Sequence, residues 1–310
     1  MEILSVTVKT GNVGDDLNHG LWKMLMPSCL DCAPDQAILG IGTMGLGTIK
    51  DQTIPKTVRQ VHVLGSGGYH TATQARISQQ VRFHFVRGPL TAQVWGCEGK
   101  GIVDGAFLLR ETAWYKERCE TVPGRIGYIP HHFPDRCTDF DTVCAEAGLY
   151  HIRTAGTTVE NCIAEITSCE AVICEALHGA ILAELFRVPW KAVYSGSHVY
   201  QFKWRDWFSS IDRPFVMEHI PLACSNRLLL PLGKRLVNRC KYAVAATGFG
   251  NSRWLGRPFR VDCRREYDSL VSALRLQRRA SRFQLCQDST VDRLATQAAE
   301  VYHHFRQSVI

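Results

Sequence analysis

Short apolar runs alternate with amphipathic stretches along the first 220 residues. Residues 3–8, 37–41, 61–64 and 83–86 each read as a strand, and 102–109 closes this half, with a strand-to-loop step at Asp104. The first three runs end in glycine-bearing loops: Gly11-Asn-Val-Gly14, Gly42-Thr-Met-Gly-Leu-Gly47 and Gly65-Ser66-Gly67-Gly68. An amphipathic helix follows the first loop and runs through Leu25, and Pro89 opens another just after Arg87. After a polar crossover over 111–124, a second set begins. Its strands are 125–129, 149–152, 171–174 and 191–194, interleaved with helices at 139–147, 158–166 and 180–186. From Pro221 the pattern changes: 227–260 is basic and without clear period, while 268–282 and the stretch after Ser289-Thr-Val-Asp292 read as helices. Strand–helix alternation of this kind predicts an α/β fold. Glycine loops recurring at the same strand end predict Rossmann-like sheets with a site along that edge. The chain divides on this reading into 1–115, 116–220 and a basic, partly helical extension, 221–310.

The candidate chemistry sits at those strand ends. In Ala171-Val-Ile-Cys174-Glu175-Ala-Leu-His178-Gly179 a buried strand turns into a helix of strong helix formers that stops before Pro189. Glu175 and His178 then lie where open α/β sheets bind ligands, beside a helix N-terminus suited to a phosphate or carboxylate. The plainer reading is that His178 caps the helix and Gly179 permits close packing. The loop Gly11-Asn-Val-Gly14-Asp15-Asp16 lets backbone approach a ligand, or Asp15 is simply an N-cap. Arg87 is a candidate anion ligand or a paired surface residue, and Asp104 sits where a strand becomes a loop. His131-His132 has no acidic or His partner at short spacing, which argues against a metal site. Phe202-Lys203-Trp204-Arg205-Asp206-Trp207-Phe208 is a sugar platform or an aromatic helix packed between domains.

Composition narrows the classes. With 310 residues and 45% hydrophobic content the chain can fill one large or two medium cores. No apolar run reaches 18 residues, and the N-terminus lacks a basic leader, so neither a transmembrane helix nor a signal peptide is expected. The 13 cysteines are scattered, and Cys29-Leu-Asp-Cys32 lacks a second pair at zinc-ribbon spacing. They read as reduced thiols of a cytoplasmic protein. The net charge of +7 is uneven: residues 223–310 hold 16 Lys/Arg against 6 Asp/Glu, and the rest hold 20 against 23. A basic extension on a near-neutral body points to an acidic partner, such as an anionic membrane or a phosphorylated lipid carrier. Nucleic acid has no motif beyond charge in its favour.

Nine motifs, in order, resemble the polysaccharide pyruvyl transferase family. They are Gly11-Asn-Val-Gly-Asp-Asp-Leu-Asn18, Ile38-Leu-Gly-Ile-Gly-Thr43, Leu64-Gly-Ser-Gly67, Val86-Arg-Gly-Pro-Leu-Thr-Ala92 and Asp104-Gly-Ala-Phe-Leu-Leu109. The other four are Ile129-Pro-His-His132, Glu175-Ala-Leu-His-Gly-Ala180, Val188-Pro-Trp190 and Lys203-Trp-Arg-Asp-Trp207. The resemblance covers 1–215 and is strongest to the exopolysaccharide (succinoglycan-type) ketal pyruvate transferases. It implies a glycosyltransferase-B-like arrangement of two Rossmann-like domains, phosphoenolpyruvate as co-substrate, no other cofactor, and a hexose of a lipid-linked oligosaccharide as acceptor. It also implies a cytoplasmic protein at the inner face of the plasma membrane, which would suit the basic extension. Its expected catalytic residues are His178, Glu175, Asp16 and Asp104. Arg87, Gly11, Asn12, Gly65, Ser66 and Gly179 would bind the donor, with Lys203, Trp204 and Asp206 as further binding residues. Ala176 stands where some members carry Arg, so the donor's charge falls first to Arg87, then to Arg187 and Lys203. The rival readings are a sugar-nucleotide glycosyltransferase of the same fold and a non-catalytic glycan-binding relative.

Overall fold

The computed structural model describes residues 1–4, 12–28, 33–42, 54–68, 80–116, 118–135, 138–222, 237, 240, 264–280 and 282–309. Four apolar runs form a parallel sheet in the order β1 (Glu2–Leu4), β2 (Gln36–Leu39), β3 (Gln60–Leu64) and β4 (Gln80–Phe85). Glu2 pairs with Ala37, Ala37 with Val61 and Val61 with Val81. Ala37, Ile38, Leu39, Val61, Val63 and Leu64 are buried, as a sheet covered on both faces requires.

Between β1 and β2 lies α1 (Val13–Leu25), whose Val13, Leu17, Leu21, Trp22 and Leu25 are buried at helical spacing. The polar Asn18 is buried on that face because it ties three elements together. Its Nδ2 donates to Leu4 O (3.2 Å), and its Oδ1 accepts from Trp22 Nε1 (2.9 Å) and Ile41 N (2.8 Å). After β4 comes α2 (Pro89–Trp95), with Pro89 in its first turn and Gly96 closing it in the left-handed conformation.

Residues 102–104 form no strand. They lead into a 3-10 helix, Gly105–Glu111, because the Asp104 carboxylate accepts from Ala106 N at 3.0 Å and turns the chain. Phe107, Leu108 and Leu109 are buried in the helix instead, and an apolar run by itself cannot distinguish the two.

The second sheet is also parallel. Its order is β6 (Tyr150–His151), β5 (Ile126–Ile129), β7 (Ala171–Cys174), β8 (Trp190–Tyr194) and β9 (Glu218–His219). Its helices are α3 (His132–Asp135), α4 (Phe140–Ala147), α5 (Val159–Thr167), α6 (Leu177–Leu185) and α7 (Gln201–Ser210). Asp139 and Thr158 cap α4 and α5 by accepting from Thr142 N and Asn161 N. Every residue of α6 but His178 is buried, so only His178 is left to face an opening.

Two helices of the extension are described, α8 (Arg264–Arg279) and α9 (Asp288–Val309). The first lies on α4, with Arg275 Nη2 donating to Glu146 O at 2.8 Å. The second returns to the first sheet: Tyr302 Oη donates to Leu25 O (2.7 Å), and Phe305 packs 4.9 and 4.8 Å from the rings of His62 and His84. Nearly all of the basic 227–260 stretch, the Cys29–Cys32 pair and Gly11 lie outside the described residues. Burial pushes the thiols of Cys97 and Cys169 up to about 11, which makes them poor nucleophiles. No described helix is long and apolar enough to cross a membrane.

Candidate functional site

A cavity of about 310 Å³ opens where strand ends of the two sheets meet. Three helix starts form much of its wall: Asn12–Gly14 of α1, Ala176–Gly179 of α6, and Tyr200 with Lys203 of α7. Neither Ala176 nor Tyr200 caps its helix with a side chain. The first-turn N–H groups and the positive ends of the helix dipoles therefore favour a negatively charged ligand. Four imidazoles (His131, His132, His178 and His198) and Lys203 share the wall, and no described Asp or Glu does.

His178 stands in the first turn of α6, which begins at Leu177, three residues before the Ala180 start that the apolar pattern predicts. Its Nδ1 is so close to Gly14 that a Cβ there would lie 2.1 Å away. Its Nε2 is buried with no hydrogen-bond partner among the described residues, 4.0 Å from Asp104 Oδ2. Burial lowers its pKa to about 4. The Asp104 carboxylate opposes that shift, and the charges of Arg87 and Lys203 add to it. The imidazole is neutral at pH 7.

Behind the wall sits a layer of buried charge. Arg87 Nε donates to Asp104 Oδ2 (2.8 Å) and Arg87 Nη2 to Gly42 O (2.6 Å), and both side chains are fully buried. Ser66 Oγ donates to Gly42 O at 3.2 Å. Gly65, at φ +87°, lies so close to Gly105 that a Cβ would come 2.2 Å from its N. Arg87, Asp104, Gly65 and Ser66 thus join the ends of β2, β3 and β4 to the 3-10 helix, and none lines the cavity.

Glu175 is likewise fully buried. It accepts from Ser195 N (2.8 Å), Ser195 Oγ, His131 N (3.1 Å) and Tyr128 Oη (3.3 Å). His198 Nε2 lies 3.4 Å from its Oε1. Burial raises its pKa, but bonds from His198 and Ser195, the His198 charge and the His131 N–H outweigh that and hold it below the usual carboxylate range. It is an ionised anchor for the loops carrying His131 and His198.

The other expected residues divide. Asn12 and Gly179 line the cavity; Asn12 caps α1 from Gly14 N at 3.4 Å, and Gly179 packs on Ile129, whose Cγ2 would meet its Cβ at 2.8 Å. Asn12 therefore takes the capping role open to Asp15 in the sequence. Asp16 is exposed on α1 and away from the cavity. Lys203 and Trp204 line the cavity. Asp206 faces the other way: its carboxylate accepts from Thr91 N (2.9 Å) and Thr91 Oγ1 (2.6 Å), capping α2, and is fully buried. Trp207 is fully buried too, so this segment is the packing helix, with Lys203 and Trp204 on its cavity side. Arg187 pairs with Glu184 and Asp288, away from the cavity. The His131–His132 rings stack 4.1 Å apart, and no cluster among the described residues could hold a metal ion.

His198 was not among the residues the sequence picks out. The signal was present: Ser195-Gly196-Ser-His198 follows β8 as the other glycine loops follow their strands.

Fold and site together define an α/β protein with two parallel sheets and an anion-favouring cavity at their carboxyl ends. The chain is 31% identical, over 215 residues, to the succinoglycan biosynthesis protein ExoV of Rhizobium meliloti (strain 1021), and is thereby similar to a protein of exopolysaccharide biosynthesis. The aligned part is 69% of this chain, and it spans 66% of that relative's length. No family model and no solved structure matches the chain.

Proposed function

We propose that the chain belongs to the polysaccharide pyruvyl transferases. On this reading it transfers pyruvate from phosphoenolpyruvate to a hexose of an exopolysaccharide precursor, with the two sheets as the halves of a glycosyltransferase-B-like arrangement. The observation that carries the reading is a cavity walled by three helix starts, four imidazoles and Lys203, with no described carboxylate. Phosphoenolpyruvate is small and carries both a phosphate and a carboxylate, which such a wall would hold. The likeness to a succinoglycan biosynthesis protein supports a saccharide acceptor.

The chemistry needs a proton on the donor's methylene carbon, which makes the adjacent carbon electrophilic. A first sugar hydroxyl adds there and gives up its proton. The bond to phosphate then breaks, and the second hydroxyl closes the ketal with loss of its own proton. Inorganic phosphate and the pyruvate ketal are the products. His178 is the proposed proton donor. It is neutral in the empty site, and a bound phosphate beside it raises its pKa, so donor binding recruits the proton that the reaction consumes. His198, oriented by Glu175, is the proposed base for the acceptor hydroxyl. Glu175 and Asp104 act through the imidazoles beside them. Membrane attachment through the basic extension belongs to the same proposal.

The test is release of phosphate from phosphoenolpyruvate, with and without an oligosaccharide ending in hexose. Acceptor-dependent release, lowered about 10²–10⁴-fold in His178→Ala without loss of fold, is the expected result. No release with any acceptor, together with turnover of a sugar nucleotide, would replace the donor assignment.

A further inference from the structure

A second opening begins where the cavity ends. Val199 and Tyr200 line both, and the second continues across the carboxyl ends of β8 and β9 as a groove of about 630 Å³. Its walls carry two aromatic pairs. Tyr194 and His219 meet edge to face at 5.2 Å, and Tyr200 and Phe202 lie 6.2 Å apart at 36°. The same lining holds two exposed hydrogen-bonding side chains, Gln201 and Arg205. Arg205 is braced over the Phe215 ring at 4.2 Å.

We infer that this groove is the subsite for the acceptor's sugar chain, with hexoses two and beyond lying along it while the terminal hexose enters the cavity at Tyr200. The inference rests on the pyruvyl transfer reading for the chemistry in the cavity, and on the groove itself for the rest. Pyranose rings present an apolar face that packs on aromatic rings and a rim of hydroxyls that needs donors and acceptors. The groove carries both kinds of group. A cavity of about 310 Å³ that takes the donor and one hexose has no room for a chain, which must leave through an opening with a shared wall. The groove supplies that exit. The segment with the expected sugar platform does contribute, through Phe202 and Arg205 rather than the buried Asp206 and Trp207.

The experiment titrates glucose and the β-linked glucose ladder from cellobiose to cellotetraose into the full chain, followed by saturation-transfer NMR. Phosphoenolpyruvate binding is measured separately in the same samples by calorimetry. In the wild type, affinity should rise at least about tenfold from glucose to the tetrasaccharide, with saturation spreading to the inner rings. Phe202→Ala and His219→Ala should each weaken the tetrasaccharide about tenfold and leave glucose, phosphoenolpyruvate and the melting temperature unchanged. A flat ladder in the wild type, or full tetrasaccharide affinity in both variants, overturns the groove. Loss of the ladder's length dependence only in the variants, with no phosphoenolpyruvate binding to any protein, leaves the groove standing and overturns the donor assignment instead.

Discussion

Gly14→Ala tests the site without replacing any proposed catalytic group. The new Cβ would stand 2.1 Å from His178 Nδ1, 2.7 Å from Cε1 and 2.9 Å from Cγ. Ordinary contact begins near 3.4 Å, so the imidazole must retreat by about 1.3 Å. The helix on which it stands cannot yield, because its other residues are buried on all sides. Alanine in place of a helical glycine stabilises by up to ~1 kcal/mol. Overpacking costs ~1–3 kcal/mol, so the net loss of stability should not exceed ~3 kcal/mol. Displacing a reacting group by about 1 Å costs about 100-fold in rate, or ~2.7 kcal/mol of transition-state stabilisation. The assay is phosphate release at saturating acceptor, with a thermal melt for fold. The decisive comparison is the double variant: once His178 is alanine, adding Gly14→Ala should change kcat/KM no further. Wild-type rate in Gly14→Ala, or additive losses in the double variant, would refute the placement of His178 at the reacting centre.

Two further outcomes concern the frame around the site. Asp104→Asn leaves the fully buried Arg87 without its counter-charge, which should cost about 3–5 kcal/mol and show as a large fall in the denaturation midpoint. Beneath α9, burial and then Arg82 lower the pKa of His62 to about 4. Burial, then His62, Arg82, Lys100 and His304, lower that of His84 to about 3. Below pH 6.5 the unfolded chain takes up protons that the folded one refuses, so stability should fall from about pH 6.5 downward and show no such slope above it. His84→Gln should flatten that acid limb in denaturation curves run from pH 7 to 4.

Much of the sheet framework was legible in the sequence because a buried parallel strand is a short apolar run with nowhere polar to turn. Residues 171–174 matched to the residue, and 61–64 within one. Residues 105–109 were not legible for the same reason: apolar content reports burial, and the capping bond that Asp104 accepts from Ala106 N decides the conformation. Site legibility followed a similar rule. Strand-end loops announced His178 and Asn12, and the aromatic 202–208 segment announced Lys203; all three line the cavity. Asp206 misled because its neighbours Lys203 and Trp204 do reach the cavity, while the two-residue step from Trp204 carries the carboxylate to the opposite side of the helix, onto α2. Periodicity places a residue on a helix; it does not say which partner waits across the gap.

The division between wall and frame explains why carboxylates attract notice in the sequence yet stay out of the cavity. A dianionic ligand beside an exposed carboxylate would be repelled, whereas an imidazole can be neutral when empty and charged when occupied. Glu175 and Asp104 keep their charge one layer back, where Ser195, His131, Tyr128 and Arg87 satisfy it. There they can orient His198 and favour the protonated form of His178 without facing the ligand. The Nε2 of His178 is the one fully buried imidazole nitrogen among the described residues without a hydrogen-bond partner. An unmet polar atom costs stability, and in this arrangement the ligand that enters the cavity would meet the need.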